Sequence, residues 1–96
     1  MKGKMQLKHP RGKKPVSMSK EKYLLLKPAI LKCLRTTGEA TFGEITRAIA
    51  KGFNTKGQKF QGSLPWHLEW VKLDLEARKV IRRVPDTTPQ QYMLAR

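Results

Sequence analysis

The sequence predicts one small α+β domain, three helices followed by a β-hairpin, with a flexible basic N-terminal arm ahead of it. Three observations carry this. The stretch from Gly62 to Arg83 changes its apolar period partway along, a capping signature stands at Thr41, and turn residues at 85–89 separate two short β-type runs. The chain has 96 residues, enough for one domain and too few for two. We divide it into residues 1–18, the arm, and 19–96, the folded domain. A core of this size is marginal, so a homodimer that buries further apolar surface is an expected arrangement.

The arm carries Lys2, Lys4, Lys8, Arg11, Lys13 and Lys14 and no acid. Such a stretch reads as a solvated, flexible segment and not as a packed element. Within it, Pro10-Arg11-Gly12-Lys13-Lys14-Pro15 resembles the AT-hook, in which an Arg-Gly-Arg core lies in the narrow minor groove of A·T-rich DNA. Lys13 stands in place of the second arginine, and Lys14 is an additional residue before the proline.

Ser19 caps a predicted first helix from Lys20 to about Arg35, with Tyr23, Leu24, Leu26, Ile30, Leu31 and Leu34 as its apolar face. Pro28 lies inside and should kink or divide it, because proline removes a backbone donor. Cys33 reads as a small buried hydrophobe. A single cysteine forms no internal disulfide, which points to a reducing, cytoplasmic setting. Thr37-Gly38 ends the helix.

Thr41 and Glu44 form a capping box that opens a second helix. Phe42, Ile45, Ala48 and Ile49 face the core, and the helix is expected to stop near Lys51-Gly52. Asn54 to Gly62 is then a basic loop carrying Lys56 and Lys59. It lacks the Gly-Lys-[Ser/Thr] ending of a phosphate-binding P-loop.

Ser63 caps the third helix, with Pro65 in the first turn where its missing N–H costs little. At about 100° per residue, Leu64, Leu68, Val71 and Leu75 form one stripe, and Trp66, Trp70, Leu73 and Ala77 form another opposite it. A helix apolar on two sides is packed on two sides. Trp66, Trp70 and Leu73 are therefore expected to meet the first helix, the arm or a second subunit. Asp74 and Arg78, four residues apart, read as a surface ion pair. Val80 to Val84 then alternates as a strand, Pro85 to Pro89 turns, and Gln91 to Ala95 returns with Tyr92 and Leu94 inward.

Three helices followed by a hairpin is the order of a winged-helix domain. The phrases GEATFGEI, WHLEWVKLDLEARKVIRRVP and PQQYMLA also resemble a small uncharacterised bacterial winged-helix family, over about Ser19 to Arg96. The wider superfamily commonly ends its third helix with Leu-Glu-x-x-Gly. Leu75-Glu76-Ala77-Arg78 matches, and Lys79 stands where glycine is usual, at some strain. The resemblance implies DNA binding with the third helix in the major groove.

The net charge of +14, from 21 Lys+Arg against 7 Asp+Glu, favours a polyanionic partner: nucleic acid first, DNA ahead of RNA, and an anionic membrane surface second. The expected phosphate contacts are Lys8, Arg11, Lys13 and Lys14 with Lys2 and Lys4 in the arm, Lys56 and Lys59 in the loop, and Arg82 and Arg83 in the hairpin. The third helix itself carries Glu69, Asp74 and Glu76, which repel phosphate. The competing reading is therefore a protein-interaction domain that dimerises through Trp66, Trp70 and Leu73 without reading a DNA sequence. Nothing in the sequence suggests an enzyme, a cofactor or a small-molecule ligand. His9 and His67 lie far apart in the chain, and one cysteine makes no zinc set. No apolar run is long enough to span a membrane.

Overall fold

The computed structural model describes residues 3–7, 9, 11–12 and 16–95. The order is β1 (Lys4–Leu7), β2 (Val16–Ser19), α1 (Lys20–Thr37), β3 (Glu39–Thr41), α2 (Phe42–Thr55), α3 (Leu64–Ala77), β4 (Ile81–Arg83) and β5 (Gln91–Leu94). The described residues form an α+β domain with three helices and two small antiparallel sheets, β1-β2 and β3-β5-β4.

For its described strands, the expectation of a flexible arm is corrected. β1 and β2 pair with Met5 opposite Met18 and Leu7 opposite Val16, while Lys4 faces Ser19 and Gln6 faces Ser17. Alternation at period two puts the apolar pairs on one face and the polar pairs on the other. Leu7 and Met18 are buried in the main core. Two four-residue strands supply this pattern, and the surrounding lysines mask it when composition is averaged over the segment. The hairpin is tied to α1 by Lys20 N–H donating to Gly3 O at 2.7 Å.

Ser19 ends β2 and also caps α1, its Oγ accepting from Lys22 N at 3.4 Å. α1 is one helix across Pro28, not two. Pro28 is exposed, so the Leu24 carbonyl that loses its helical partner faces solvent and not the core. Tyr23, Leu26, Ile30 and Leu34 face inward. Gly38 terminates the helix at φ 84°, its N–H donating to Leu34 O.

β3 was not expected. It is three residues long and mostly polar, and it forms because β5 offers an edge to pair with, Ala40 lying opposite Tyr92. The capping box of α2 is complete: Glu44 N–H donates to Thr41 Oγ1 at 3.1 Å, and Thr41 N–H to Glu44 Oε1 at 2.8 Å. The helix does not stop at Gly52. It continues to Thr55, and the left-handed residue that follows is Gly57 at φ 66°.

Ser63 Oγ accepts from Trp66 N at 3.3 Å and opens α3. α3 touches α1, α2, β1 and β4. Leu68, Val71 and Leu75 enter the core, and Lys72, Leu73 and Asp74 are buried as well, so the second half of the helix has almost no solvent face. Lys79 takes the left-handed conformation, φ 64°, where glycine is cheaper. Val80 N–H reaching back to Leu75 O at 2.9 Å closes that helix end. β4 and β5 pair with Ile81 opposite Leu94. Tyr92 is buried, and Leu94 packs partly buried against the core. No helix among the described residues is long and apolar enough to cross a membrane.

If the N-terminal hairpin is integral, Leu7→Ala should destabilise the chain by about 3 kcal/mol, as for other buried leucines. Urea melts of the two proteins measure this. A loss below about 0.5 kcal/mol would mean that the hairpin does not contribute to the core.

Candidate nucleic-acid interface

The centre of the fold is electrostatic. Asp74 is fully buried between α1 and the end of α3. Its Oδ2 accepts from Tyr23 Oη at 2.6 Å, and Arg78 Nε donates to both carboxylate oxygens, at 3.0 Å and 2.8 Å. The expected surface pair is thus a buried carboxylate with a half-exposed arginine. The i, i+4 spacing was legible, but its depth depends on Tyr23, fifty-one residues away along the chain.

The other two acids of α3 are also paired internally. Glu69 meets Lys72 Nζ at 3.1 Å. That ammonium is buried, donates to Tyr92 Oη at 3.0 Å and lies 4.6 Å from the Tyr92 ring centroid and 5.2 Å from that of Phe42. Glu76 Oε1 accepts from Arg83 Nε at 2.8 Å. Repulsion of phosphate by α3 is therefore largely cancelled within the chain.

The expected phosphate ligands divide into three groups. Lys56, Lys59 and Arg82 are exposed, as are Lys4 and Arg11 of the N-terminal segment. Arg83 is exposed in part, but its Nε is committed to Glu76. Lys2, Lys8, Lys13 and Lys14 lie outside the described residues. So does most of the AT-hook-like phrase; of it, Arg11 and Gly12 are described in a turn, Gly12 N–H donating to His9 O. Sequence reasoning missed Lys20, Lys32 and Arg35. They fall on the solvent face of α1, and Arg47 and Lys51 are exposed on α2. The spacing of 20, 32 and 35 at helical period was the available signal. The loop between β4 and β5 holds itself together, Gln91 N–H donating to Thr87 Oγ1 at 2.9 Å and Gln90 Nε2 to Val84 O at 2.9 Å. It contains no lysine or arginine.

The three expected interface residues share one stripe of α3, Trp66 and Trp70 with ring centroids 6.4 Å apart, but they do not form one exposed face. Leu73 is buried within the chain and leaves little surface for a second subunit. Trp70 is half-buried beside His9, ring centroids 6.1 Å apart. Trp66 alone of the three is exposed, at 45%. It belongs to a row of rings in which Phe53 stacks on Phe60, Phe60 meets His67 edge-on, and His67 meets Trp66. His67 Nδ1 donates to Ser63 O at 2.6 Å, which fixes the ring at the start of α3.

Burial pushes the Tyr23 hydroxyl pKa well above its ordinary 10.0, and the Asp74 carboxylate adds to this; Arg78 opposes it. Burial likewise raises the Cys33 thiol, with Glu44 adding to it, so the thiolate is scarce near neutral pH. The Tyr23 contribution has a defined pH window. The folded chain holds this proton more tightly than the unfolded one, so the stabilisation is complete below pH 10 and declines as pH rises above it. Tyr23→Phe should cost about 2 kcal/mol at pH 8, a hydrogen bond to a charged group. The gap to wild type should narrow by pH 11 in denaturant melts. A gap that stays constant with pH would show that the hydroxyl does not donate to Asp74.

No curated protein and no solved structure matches the chain. One family does, and its match covers residues 4–92. The matched stretch begins at the start of β1 and ends within β5, so it includes the N-terminal hairpin that composition alone had set apart. The chain belongs to DUF6958, a family of unknown function.

Proposed function

We propose that the chain is a winged-helix domain that binds nucleic acid, DNA in the first place, by contacting phosphates from its periphery. The fold part of this reading is supported by connectivity. The helices and the second sheet follow the order α1-β3-α2-α3-β4-β5 with sheet order β3-β5-β4, in which the first strand pairs with the last. The β4–β5 loop is the wing, and the β1–β2 hairpin is an addition that packs on α3.

One observation carries the binding part: every acid of α3 is paired inside the chain, while most of the cations outside those pairs, among the described residues, are exposed. Lys20, Lys32 and Arg35 on α1, Lys56 and Lys59 in the loop after α2, and Arg82 at the base of the wing leave a strong surplus of positive charge. Major-groove reading by α3 is disfavoured, since its second half is buried and its exposed start offers Pro65 and Trp66 in place of polar side chains. Contacts to phosphate position a protein without reading sequence, so the role is architectural or an accessory to regulation.

Binding should appear at low salt and weaken with a log–log slope of about −0.9 per phosphate contacted. Fluorescence anisotropy on A·T-rich and G·C-rich duplexes across a salt series measures this. The double variant Lys56→Gln with Lys59→Gln should make the slope shallower by about 1 to 2. The preference between the two duplexes should be small and unchanged. Absence of binding by the full chain at low salt would reject the proposal.

A further inference from the structure

A second surface feature is apolar and shares its basic edge with the proposed nucleic-acid contacts. α1 and α2 enclose an open groove of about 520 Å³ floored by Leu25, Pro28, Ala29, Ile49 and Phe53. The polar side chains at its rim are threonines, Gln58, Lys32 and Lys56, and no acid lines it among the described residues. At Leu25 it runs on into a second hollow edged by Lys20, Lys22 and Lys59, where Glu21 is the one acid. Between the two hollows Leu24 and Leu25 stand 56% and 46% exposed on the solvent side of α1. Large apolar side chains grouped in this way, with polar residues around them, mark an interaction surface.

Two details suggest that the groove is kept open. Gly52 sits inside α2, where alanine would favour the helix. A Cβ there would meet no atom within 4 Å, so packing does not demand glycine. What the missing side chain leaves is clear space along the groove wall. Pro28, on the groove floor, supplies no N–H to the Leu24 carbonyl, so this helix face lacks one of its backbone hydrogen bonds.

We propose that this groove binds an acidic amphipathic peptide segment of a partner protein, its apolar side chains on the floor and its carboxylates against Lys32, Lys56 and Lys59. Charge selects the occupant. A second copy of this chain, at +14, would bring like charge to a basic rim. A segment with acids flanking apolar anchors matches both the floor and the edge.

The test pans a phage-displayed random twelve-residue peptide library on the full chain, in parallel with Gly52→Leu, and with Ala48→Leu as a second filling variant. Neither substitution changes the charge, so both should retain the salt-dependent DNA binding of the wild type. Thermal melts show which variants are folded, and Gly52→Leu should melt no lower than wild type. The expected result is enrichment of peptides combining Asp or Glu with large apolar residues. A synthetic peptide of the enriched sequence should bind the folded filling variants at least ten-fold more weakly than wild type. No enrichment, enrichment of basic or uncharged peptides, or equal binding to the filled groove would each overturn the proposal. Because DNA binding is read separately, its failure and the failure of the groove are distinguishable.

Discussion

The structure depends on a carboxylate that has been taken out of water. Asp74 is fully buried, and burying an ionised carboxylate costs several kcal/mol unless it is paired and hydrogen-bonded. Here the compensation comes from two directions, Tyr23 on α1 and Arg78 just past the end of α3. The pair fixes the rotation of α3 about its axis. With Asp74 facing Tyr23, Leu68, Val71 and Leu75 turn into the core. The end of α3 is set at the same time, and the left-handed turn at Lys79 delivers Val80 and Ile81 to the sheet. One buried interaction thus joins helix packing to the start of the hairpin.

That placement changes what α3 can do. Its second half meets α1 and α2, and β1 and β4 take up further sides. A helix so enclosed has little free surface along its second half. Its acids, which as bare sequence argue against a polyanionic partner, are spent on Lys72, Arg78 and Arg83. Among the described residues, exposed lysines and arginines remain on α1, α2, the 56–59 loop and β4. Lys32 and Lys56 also border the apolar groove beside Gly52, so charge and apolar surface adjoin on this side.

The local signals were legible and the long-range ones were not. Ser19, Thr41 and Ser63 each cap the helix predicted to follow, because a cap is a contact across three residues. The change of period after α3 located β4, and Tyr92 turned inward as alternation required. The first hairpin escaped because four-residue strands embedded among lysines give a weak alternation, and what stabilises them is Leu7 and Met18 meeting a core made elsewhere. β3 escaped for a similar reason, since Glu-Ala-Thr has no strand character apart from its pairing to β5. Gly52 read as a stop because glycine after a helix usually is one, yet here it lies inside α2 facing open space. At the candidate interface, Lys56, Lys59 and Arg82 were found exposed where expected, whereas Arg83 is held by Glu76 and Leu73 is buried. Both of those depend on contacts between elements that no single helix or strand pattern encodes.

The central claim is that nucleic acid meets the rim of this domain and not α3. Titrating the isotopically labelled full chain with a short DNA duplex, and following backbone amide shifts by NMR, tests it residue by residue. The account predicts the largest changes at Lys32, Arg35, Lys56, Lys59 and Arg82, with little at Glu69, Trp70 and Leu73. Shifts centred on the stretch from Trp66 to Leu73, with the α1 and loop lysines unmoved, would contradict it.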